Sequence, residues 1–390
     1  VTELADRSWR MPTPESMRAF GSWLAGLVRP GDLLVLAGPL GAGKTVFVQG
    51  LARGLGVTGP VTSPTFVLSR EHRDGRLPLL HVDAYRLGSL EEVEDLDLDV
   101  ENSVTAVEWG AGLVEGLTDG SLLIRVERAE GGVEGELLDE SRTIRLVPSG
   151  PDWPGRLAAV AVSEPAAVLC DLDGVLVDST ASVEKHWTDF AEAHGLDARA
   201  VLAVAHGRTA RGLISELLPG QDADALAAEL EAVETADTEG SHALPGAAAL
   251  LGALPPTRLA VVTSGTAPVA GARLAATGLR PPPVLVTADQ VATGKPAPEP
   301  YLTAARRLDV SPEDCLVIED APAGIAAGRA AGAQVLGLLT SHSAAALTES
   351  DAVPDLLADD LSSVLPTADG AVLVNPAGAV LDNHAGSLHP

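Results

Sequence analysis

Two groups of residues in this chain could handle phosphate. The stretch "GPLGAGKT" (38–45) fits G-x-x-x-x-G-K-[ST], with an apolar strand-like run before it and a helix-like run after it. Gly38, Gly41, Ala42 and Gly43 would let backbone N–H groups approach phosphates, and the following helix N-terminus adds its positive end. Lys44 would reach the terminal phosphates, and Thr45 would place its hydroxyl on Mg2+. Nucleotide hydrolysis also needs an acid at a strand end to hold the metal or its waters, and Asp83 in "LLHVDAY" and Glu108 in "TAVEWG" both end apolar runs. Either alone reads equally well as a turn residue or cap; beside the phosphate loop they become metal candidates.

The second group starts at "CDLDGVLVDS" (170–179). Asp171, Asp173, Glu319 and Asp320 all fall at the ends of strand-like runs, where open α/β sheets build sites. Four converging carboxylates repel, so either some hold protons or a divalent cation joins them, and an all-oxygen set suits Mg2+. Such a cluster suits phosphoryl transfer. Asp171 is the expected nucleophile and Asp173 the general acid and base. Thr263 or Ser264, ending "RLAVVTSG", would hydrogen-bond a phosphate oxygen, and Lys295 in "TGKPAPEPY" would neutralise transition-state charge. Asp178 with Ser179 reads as a helix start. The chain has three lysines, Lys44, Lys185 and Lys295, and two of them lie in these phosphate motifs.

The elements that must position these groups follow from periodicity. The first half alternates strand-like runs at 32–38, 66–72, 77–85, 104–109 and 121–128 with a helix at 45–56, an α/β pattern. An acidic stretch at 89–102 reads as a solvated helix and loop. Residues 148–165 concentrate Pro and Gly and read as a linker. A buried strand at 166–173 then opens a second parallel sheet, continued at 258–265, 284–289, 315–320 and 333–339. An alanine-rich helical block at about 180–255 reads as an inserted cap, and residues 364–390 as a tail with little periodicity. Three parts follow from this reading: a P-loop NTPase-like α/β domain (1–147), the linker, and a Rossmann-like parallel-sheet domain with a helical cap (166–363), before the tail.

Length and composition agree. At 390 residues two cores are expected. With 46% hydrophobic and 21% charged residues and no long uninterrupted apolar run, no membrane span is expected. The start "VTELADRSWR" has neither a basic stretch nor an apolar one, so a cytoplasmic setting is expected. Cys170 and Cys315 read as reduced core residues. A formal charge of −28 argues against direct nucleic-acid binding over most of the surface.

In the first half, "GPLGAGKT", "SPTF" (63–66), "HVDAYRL" (81–87) and "VEWG" (107–110) together resemble the TsaE family, the P-loop ATPases of bacterial tRNA threonylcarbamoyladenosine synthesis. That resemblance covers about residues 8–147. It implies ATP and Mg2+ binding, with Thr45 and Glu108 on the metal and Thr65 in a switch-like loop near the phosphates. It also implies action with TsaB-like and TsaD-like proteins, which would hold the tRNA, leaving this acidic chain in only indirect contact with it. Trp109 is left between two roles, one beside the nucleotide and one in the core. In the second half, "DLDGVLVDS", "VVTSG", "GKPAPEPY" and "VIEDAPAGI" resemble the haloacid dehalogenase (HAD) superfamily over about residues 166–362. The cap is similar to that of the sugar phosphatase and phosphomutase branch, and its loop "AHGRT" implies His206 and Arg208 as substrate contacts. The expected product is a fusion of an ATPase and a HAD-type phosphatase of small phosphorylated metabolites. Two alternatives stay open at this level: a first domain that is a nucleotide-controlled partner-binding module, and a second that is a mutase. A kinase and phosphatase pair lacks an acceptor-binding block in residues 1–150.

Overall fold

A computed structural model describes residues 4–128, 141–205, 207–349 and 352–377. The chain divides into two compact units, one formed by residues up to Ser163 together with those from Ser362 onward, the other by Glu164–Leu361.

In the first unit, β1 (Ser8–Met11) leads to α1 (Pro14–Leu24), which starts with a reciprocal capping box between Thr13 and Ser16 and a proline at its first position. Then come β2 (Leu33–Ala37), α2 (Lys44–Gly54), β3 (Ser69–His72), β4 (Leu79–Asp83), the acidic α3 (Leu90–Glu94), β5 (Val104–Glu108), β6 (Ser121–Arg128) and β7 (Arg142–Pro148). The sheet order is β1-β7-β6-β2-β5-β4-β3, parallel at its centre and antiparallel at both edges. The central strands are buried along their length, so "LLVLA" and "VTAVE" lack alternation, as strands covered on both faces do. The strand expected over 66–72 is confined to Ser69–His72, because Pro64 accepts turn hydrogen bonds from the N–H groups of Val67 and Leu68.

The segment read as a linker is structured. Residues Asp152–Ala159 form α4 and Ala161–Ser163 form β8. Pro154 stands in the first turn, where its missing N–H costs no helical bond. Trp153, Leu157 and Val160 join the core cluster that holds Trp23 and Phe20. Arg156 lies over the Trp153 ring and places both Nη atoms 2.6 Å from the Asp32 carboxylate oxygens.

The second unit holds β9 (Ala167–Cys170), β10 (Val177–Asp178), α5 (Thr180–Ala193), α6 (Ala198–Ala205), α7 (Ala210–Leu217), α8 (Ala223–Ala236), β11 (His242–Ala243), α9 (Ala247–Ala253), β12 (Leu259–Val262), α10 (Ala267–Thr277), β13 (Val284–Val286), α11 (Glu299–Leu308), β14 (Cys315–Glu319), α12 (Pro322–Ala330), β15 (Gln334–Leu338) and β16 (Leu356–Ala358). Six strands pair in parallel in the order β13-β12-β9-β14-β15-β16. The strand order reverses between β9 and β14, so their C-terminal ends border the crevice where such sheets bind ligands. Helices α5–α8 form the expected cap around a core of their own that includes Trp187, Phe190, Leu213 and Leu230. Cys170 and Cys315 are buried and unbridged.

Beyond Ser362 the chain returns to the first unit. β17 (Val364–Pro366) and β18 (Val372–Val374) pair antiparallel with each other, and β18 pairs with β8. Leu365, Ala371 and Leu373 enter the Trp23 cluster, and buried Asn375 donates from Nδ2 to the Trp23 carbonyl at 3.0 Å. The expectation of a tail from residue 364 is thereby corrected over 364–377. Three-residue strands are too short to show a period, and their partner lies some two hundred positions earlier in the chain. No helix among the described residues is long and apolar enough to cross a membrane.

Candidate active sites

In the first unit the phosphate loop links β2 to α2. Gly38, Gly41 and Gly43 all take positive φ, and a Cβ on Gly38 would sit 2.3 Å from the Val126 carbonyl oxygen, so no other residue fits that bend. Ala42 is buried under the loop and donates its N–H to Pro39 O. Register places Asp83 beside Glu108 at the ends of adjacent parallel strands. Thr45 Oγ1 donates to Glu108 Oε1 at 2.7 Å, bringing together the two residues implied as metal ligands. Thr65 Oγ1 donates to Asp83 Oδ2 at 2.5 Å, which ties the switch-like loop to the second acid.

Lys44 Nζ donates to the carbonyls of Gly38 and Pro39 at 2.9 and 3.1 Å and lies 3.6 Å from the centroid of the Trp109 ring. Burial lowers the Lys44 pKa, with Glu108 and Asp83 opposing the shift. Trp109 is therefore a residue of this site and only half-buried. It adopts φ +64°, a left-handed conformation uncommon for a bulky side chain, and meets Tyr85 edge-on at 5.3 Å. Sequence reading passed over His81, whose Nε2 lies 2.9 Å from Glu108 Oε1 and which is fully buried. Its signal was available: His81 precedes Asp83 by two on an apolar strand, which puts both on one face. A hydroxyl and two carboxylates beside a loop of N–H donors fit a hard divalent cation carried in with a nucleotide phosphate.

The second site gathers at the ends of β9 and β14. Lys295 Nζ bridges Asp171 Oδ1 at 2.7 Å and Glu319 Oε1 at 2.6 Å, and also donates to the Val262 carbonyl at 3.0 Å. Tyr301, buried and not singled out from sequence, donates to Glu319 Oε1 at 2.6 Å. Burial pushes the Asp171 carboxyl up to about 7; Lys295 opposes this, and Glu319 and Asp173 add to it. Burial also drives Asp320 well above the usual carboxylate range, with Glu319 and Asp171 contributing. Burial works against the Lys295 charge, but Asp171 and Glu319 outweigh it and hold its pKa above the ordinary lysine value.

Asp171, Glu319 and Asp320 can each present an oxygen within 4.8 Å of the others, and Asp320 Oδ1 is buried without a hydrogen-bond partner. That orphaned oxygen and the all-carboxylate set fit Mg2+. Gly174 stands against this cluster: a Cβ there would lie 1.9 Å from Asp320 Oδ2.

The Asp173 side chain, expected among the metal ligands, belongs elsewhere. Its Oδ1 accepts from Ser179 Oγ at 2.7 Å, and its Oδ2 lies 2.7 Å from Arg273 Nη1 and 3.4 Å from Thr263 Oγ1. The strand ends at Cys170, so Asp171 turns toward Lys295 while Asp173, two residues into the turn, turns toward Ser179 and Arg273. A helix does start here, with Ser179 at the N-cap position of α5 and Asp178 Oδ1 accepting from Thr180 N, while the Ser179 hydroxyl makes no cap bond and donates to Asp173 instead. Of the two hydroxyls offered after β12, Thr263 is the one facing Asp173, whereas Ser264 donates to the Gly207 carbonyl in the cap loop at 2.8 Å.

A cavity of about 680 Å³ opens here between core and cap, lined by Asp171, Asp173, Lys295, Asp320 and Arg208 among others. Arg208 pairs with Glu216 at 2.5 Å. His206 lies outside the described residues.

Both halves match known families. A model for "Threonylcarbamoyl adenosine biosynthesis protein TsaE" matches residues 11–135, and one for "haloacid dehalogenase-like hydrolase" matches residues 165–332. A tRNA threonylcarbamoyladenosine biosynthesis protein TsaE from Streptomyces coelicolor is 53% identical over 143 residues, covering 35% of this chain and 93% of the relative. Hexitol phosphatase A of Escherichia coli is 45% identical over 190 residues, covering 47% of this chain and 88% of the relative. Glycerol-1-phosphate phosphohydrolase 2 of Saccharomyces cerevisiae is 37% identical over 187 residues, covering 45% and 75%. ATP binding is typical of the first family and Mg2+ dependence of the second, and both are families of enzymes. The chain belongs to both: it is a fusion of a TsaE family member with a haloacid dehalogenase-like hydrolase.

Proposed function

We propose that the second unit is a Mg2+-dependent phosphatase of neutral, hydroxyl-rich monophosphates such as polyol phosphates. The observation that carries this reading is the lining of the cavity. Among its described residues, eight carboxyl-bearing side chains stand against four cations, and each cation already holds a carboxylate. Carboxylates accept hydrogen bonds from hydroxyls and repel a second phosphate or a carboxylate on the substrate. This favours hydrolysis over a mutase, which must seat a bisphosphate.

In the reaction, Asp171 attacks phosphorus and forms an aspartyl phosphate as the P–O bond to the alcohol breaks. Asp173 gives its proton to the departing oxygen, then takes one from the water that cleaves the aspartyl phosphate and restores Asp171. Lys295 lies against the nucleophile and offsets negative charge as it develops. Asp171, Glu319 and Asp320 would hold Mg2+, which supplies further charge neutralisation. Phosphate release from polyol monophosphates, with bisphosphates and carboxylated phosphates as controls, tests the reading; preference for a bisphosphate would overturn it.

For the first unit, the reading is ATP binding and hydrolysis in support of tRNA threonylcarbamoyladenosine synthesis in the cytoplasm, with TsaB-like and TsaD-like partner proteins. Leu40, Phe66 and Tyr85 are large apolar residues at the phosphate loop and beside Thr65 and Trp109, and they are 83%, 92% and 66% exposed. An apolar rim around a nucleotide site suits a partner surface whose shape follows the nucleotide state. Co-purification with the two partners, with and without ATP, tests it; equal failure in both conditions would remove the partner assignment.

A further inference from the structure

Arg273 stands alone as a charge in the apolar helix α10, "APVAGARLAAT", and is 5% exposed. A guanidinium so buried requires partners, and it has two on different parts of the unit. Nη1 lies 2.7 Å from Asp173 Oδ2, on the turn after β9, and Nη2 lies 3.3 Å from Glu234 Oε1, on cap helix α8. The other Asp173 oxygen takes its hydrogen bond from Ser179, which immediately precedes α5, the first helix of the cap. Each oxygen of Asp173 is thus held by a group that also engages the cap, Ser179 through the chain and the core residue Arg273 through its ion pair with Glu234, while Thr263 of the core stands 3.4 Å from Oδ2.

We infer that Arg273 is a positioning residue that, together with Glu234, makes the orientation of the Asp173 carboxyl depend on a seated cap. This rests on the phosphatase reading and adds to it a reason why proton transfer to the leaving group would occur only with the cap in place. A cap that is merely pinned to the core by a buried ion pair would not distinguish between substrates. A pair that aims the general acid would distinguish them by how much their leaving groups need a proton.

The test uses the full chain with Mg2+ and compares kcat/KM for glycerol 1-phosphate, whose alkoxide must be protonated as it leaves, with p-nitrophenyl phosphate, whose phenolate leaves unaided. Since kcat/KM reports steps only up to formation of the aspartyl phosphate, the later role of Asp173 toward water does not enter. For Arg273→Met the expected loss is about 100-fold or more on glycerol 1-phosphate, the scale of general acid catalysis, and only a few-fold on p-nitrophenyl phosphate. Arg273→Lys should restore about tenfold of the former by returning the charge without the fork. Glu234→Gln, which leaves Arg273 in place, should show the same selectivity with a smaller loss, and it carries the test if Arg273→Met does not fold. Equal losses on both compounds in these variants, or no loss, would overturn the assignment, as would a Glu234→Gln chain with wild-type constants. If the unmodified chain releases phosphate from neither compound, the phosphatase reading falls first and this assignment with it.

Discussion

The two phosphate sites place their lysines differently. Lys44 rests on neutral partners, two carbonyls and an indole face, while the nearby Glu108 and Asp83 are held by threonine hydroxyls. Lys295 sits between two carboxylates that it keeps close despite their repulsion. The first arrangement leaves the cation's charge uncompensated by direct contact, as suits a site whose ligand arrives as a polyanion with its own metal. On the proposed reading the second carries its nucleophile within the protein, and its cation opposes the rise that burial imposes on that carboxyl. One site binds charge; the other stores it.

The largest expected effect separates them by chemistry. Asp171→Asn removes the nucleophile and should lower phosphate release by about 10³-fold or more, leaving ATP hydrolysis unchanged. Phosphatase activity surviving in that variant would mean that the stored carboxylate is not the one that reacts. Lys44→Ala should lower ATP hydrolysis by about 10²-fold, the scale of losing one preorganised charge donor, with phosphate release from polyol phosphates unaffected. Measuring both activities on both variants tests the independence of the sites.

A smaller effect sharpens the contrast in charge. Burial pushes the Asp171 carboxyl up to about 7, and metal binding requires its carboxylate, so Mg2+ affinity should rise with pH through that value. Calorimetry should find Mg2+ bound about tenfold more weakly at pH 6 than at pH 8, since roughly a tenth of such a group is ionised at the lower pH. Stability without Mg2+ follows the opposite sign. An unfolded aspartate titrates near about 3.9, so between there and about 7 the folded chain keeps a proton that the unfolded chain loses, and this group's contribution to stability falls as pH rises. Mg2+ affinity that is flat from pH 6 to pH 8 would refute a raised Asp171.

Most of both sites was legible because each motif is local. A strand, a turn and a helix start lie within about ten residues, and strand ends locate carboxylates without knowledge of the sheet. Register places Asp83 beside Glu108 at the ends of β4 and β5. Side-chain direction was not legible: whether Asp173 joins the metal or faces the cap depends on Arg273 and Ser179, and Glu234 carries no signal among the other acids of α8. The ends of the first unit were equally hidden. Pro154 and Gly155 interrupt the apolar spacing of Trp153, Leu157 and Val160, and a stretch rich in Pro and Gly reads as loop even where the helix tolerates both.

That hidden part gives the last and smallest effect on activity. The phosphatase unit is inserted into the first unit rather than appended to it, since the chain leaves at Ser163 and comes back at Ser362. Leu373 is fully buried in the cluster with Trp23 and Trp153, on the strand that pairs with β8. Leu373→Ala should cost about 2–5 kcal/mol, as truncation of a buried leucine does, and lower the melting temperature of the first unit by several degrees. Following the loss of each activity after graded heating separates the units: ATP hydrolysis should fail at a lower temperature in this variant, and phosphate release at the same temperature as before. The reverse result, with the phosphatase failing early and ATP hydrolysis unmoved, would place the chain's return in the wrong unit. With the expected result, residues outside the phosphate loop, packed on the first unit through β18, Leu365 and Asn375, are part of what keeps the ATP site folded.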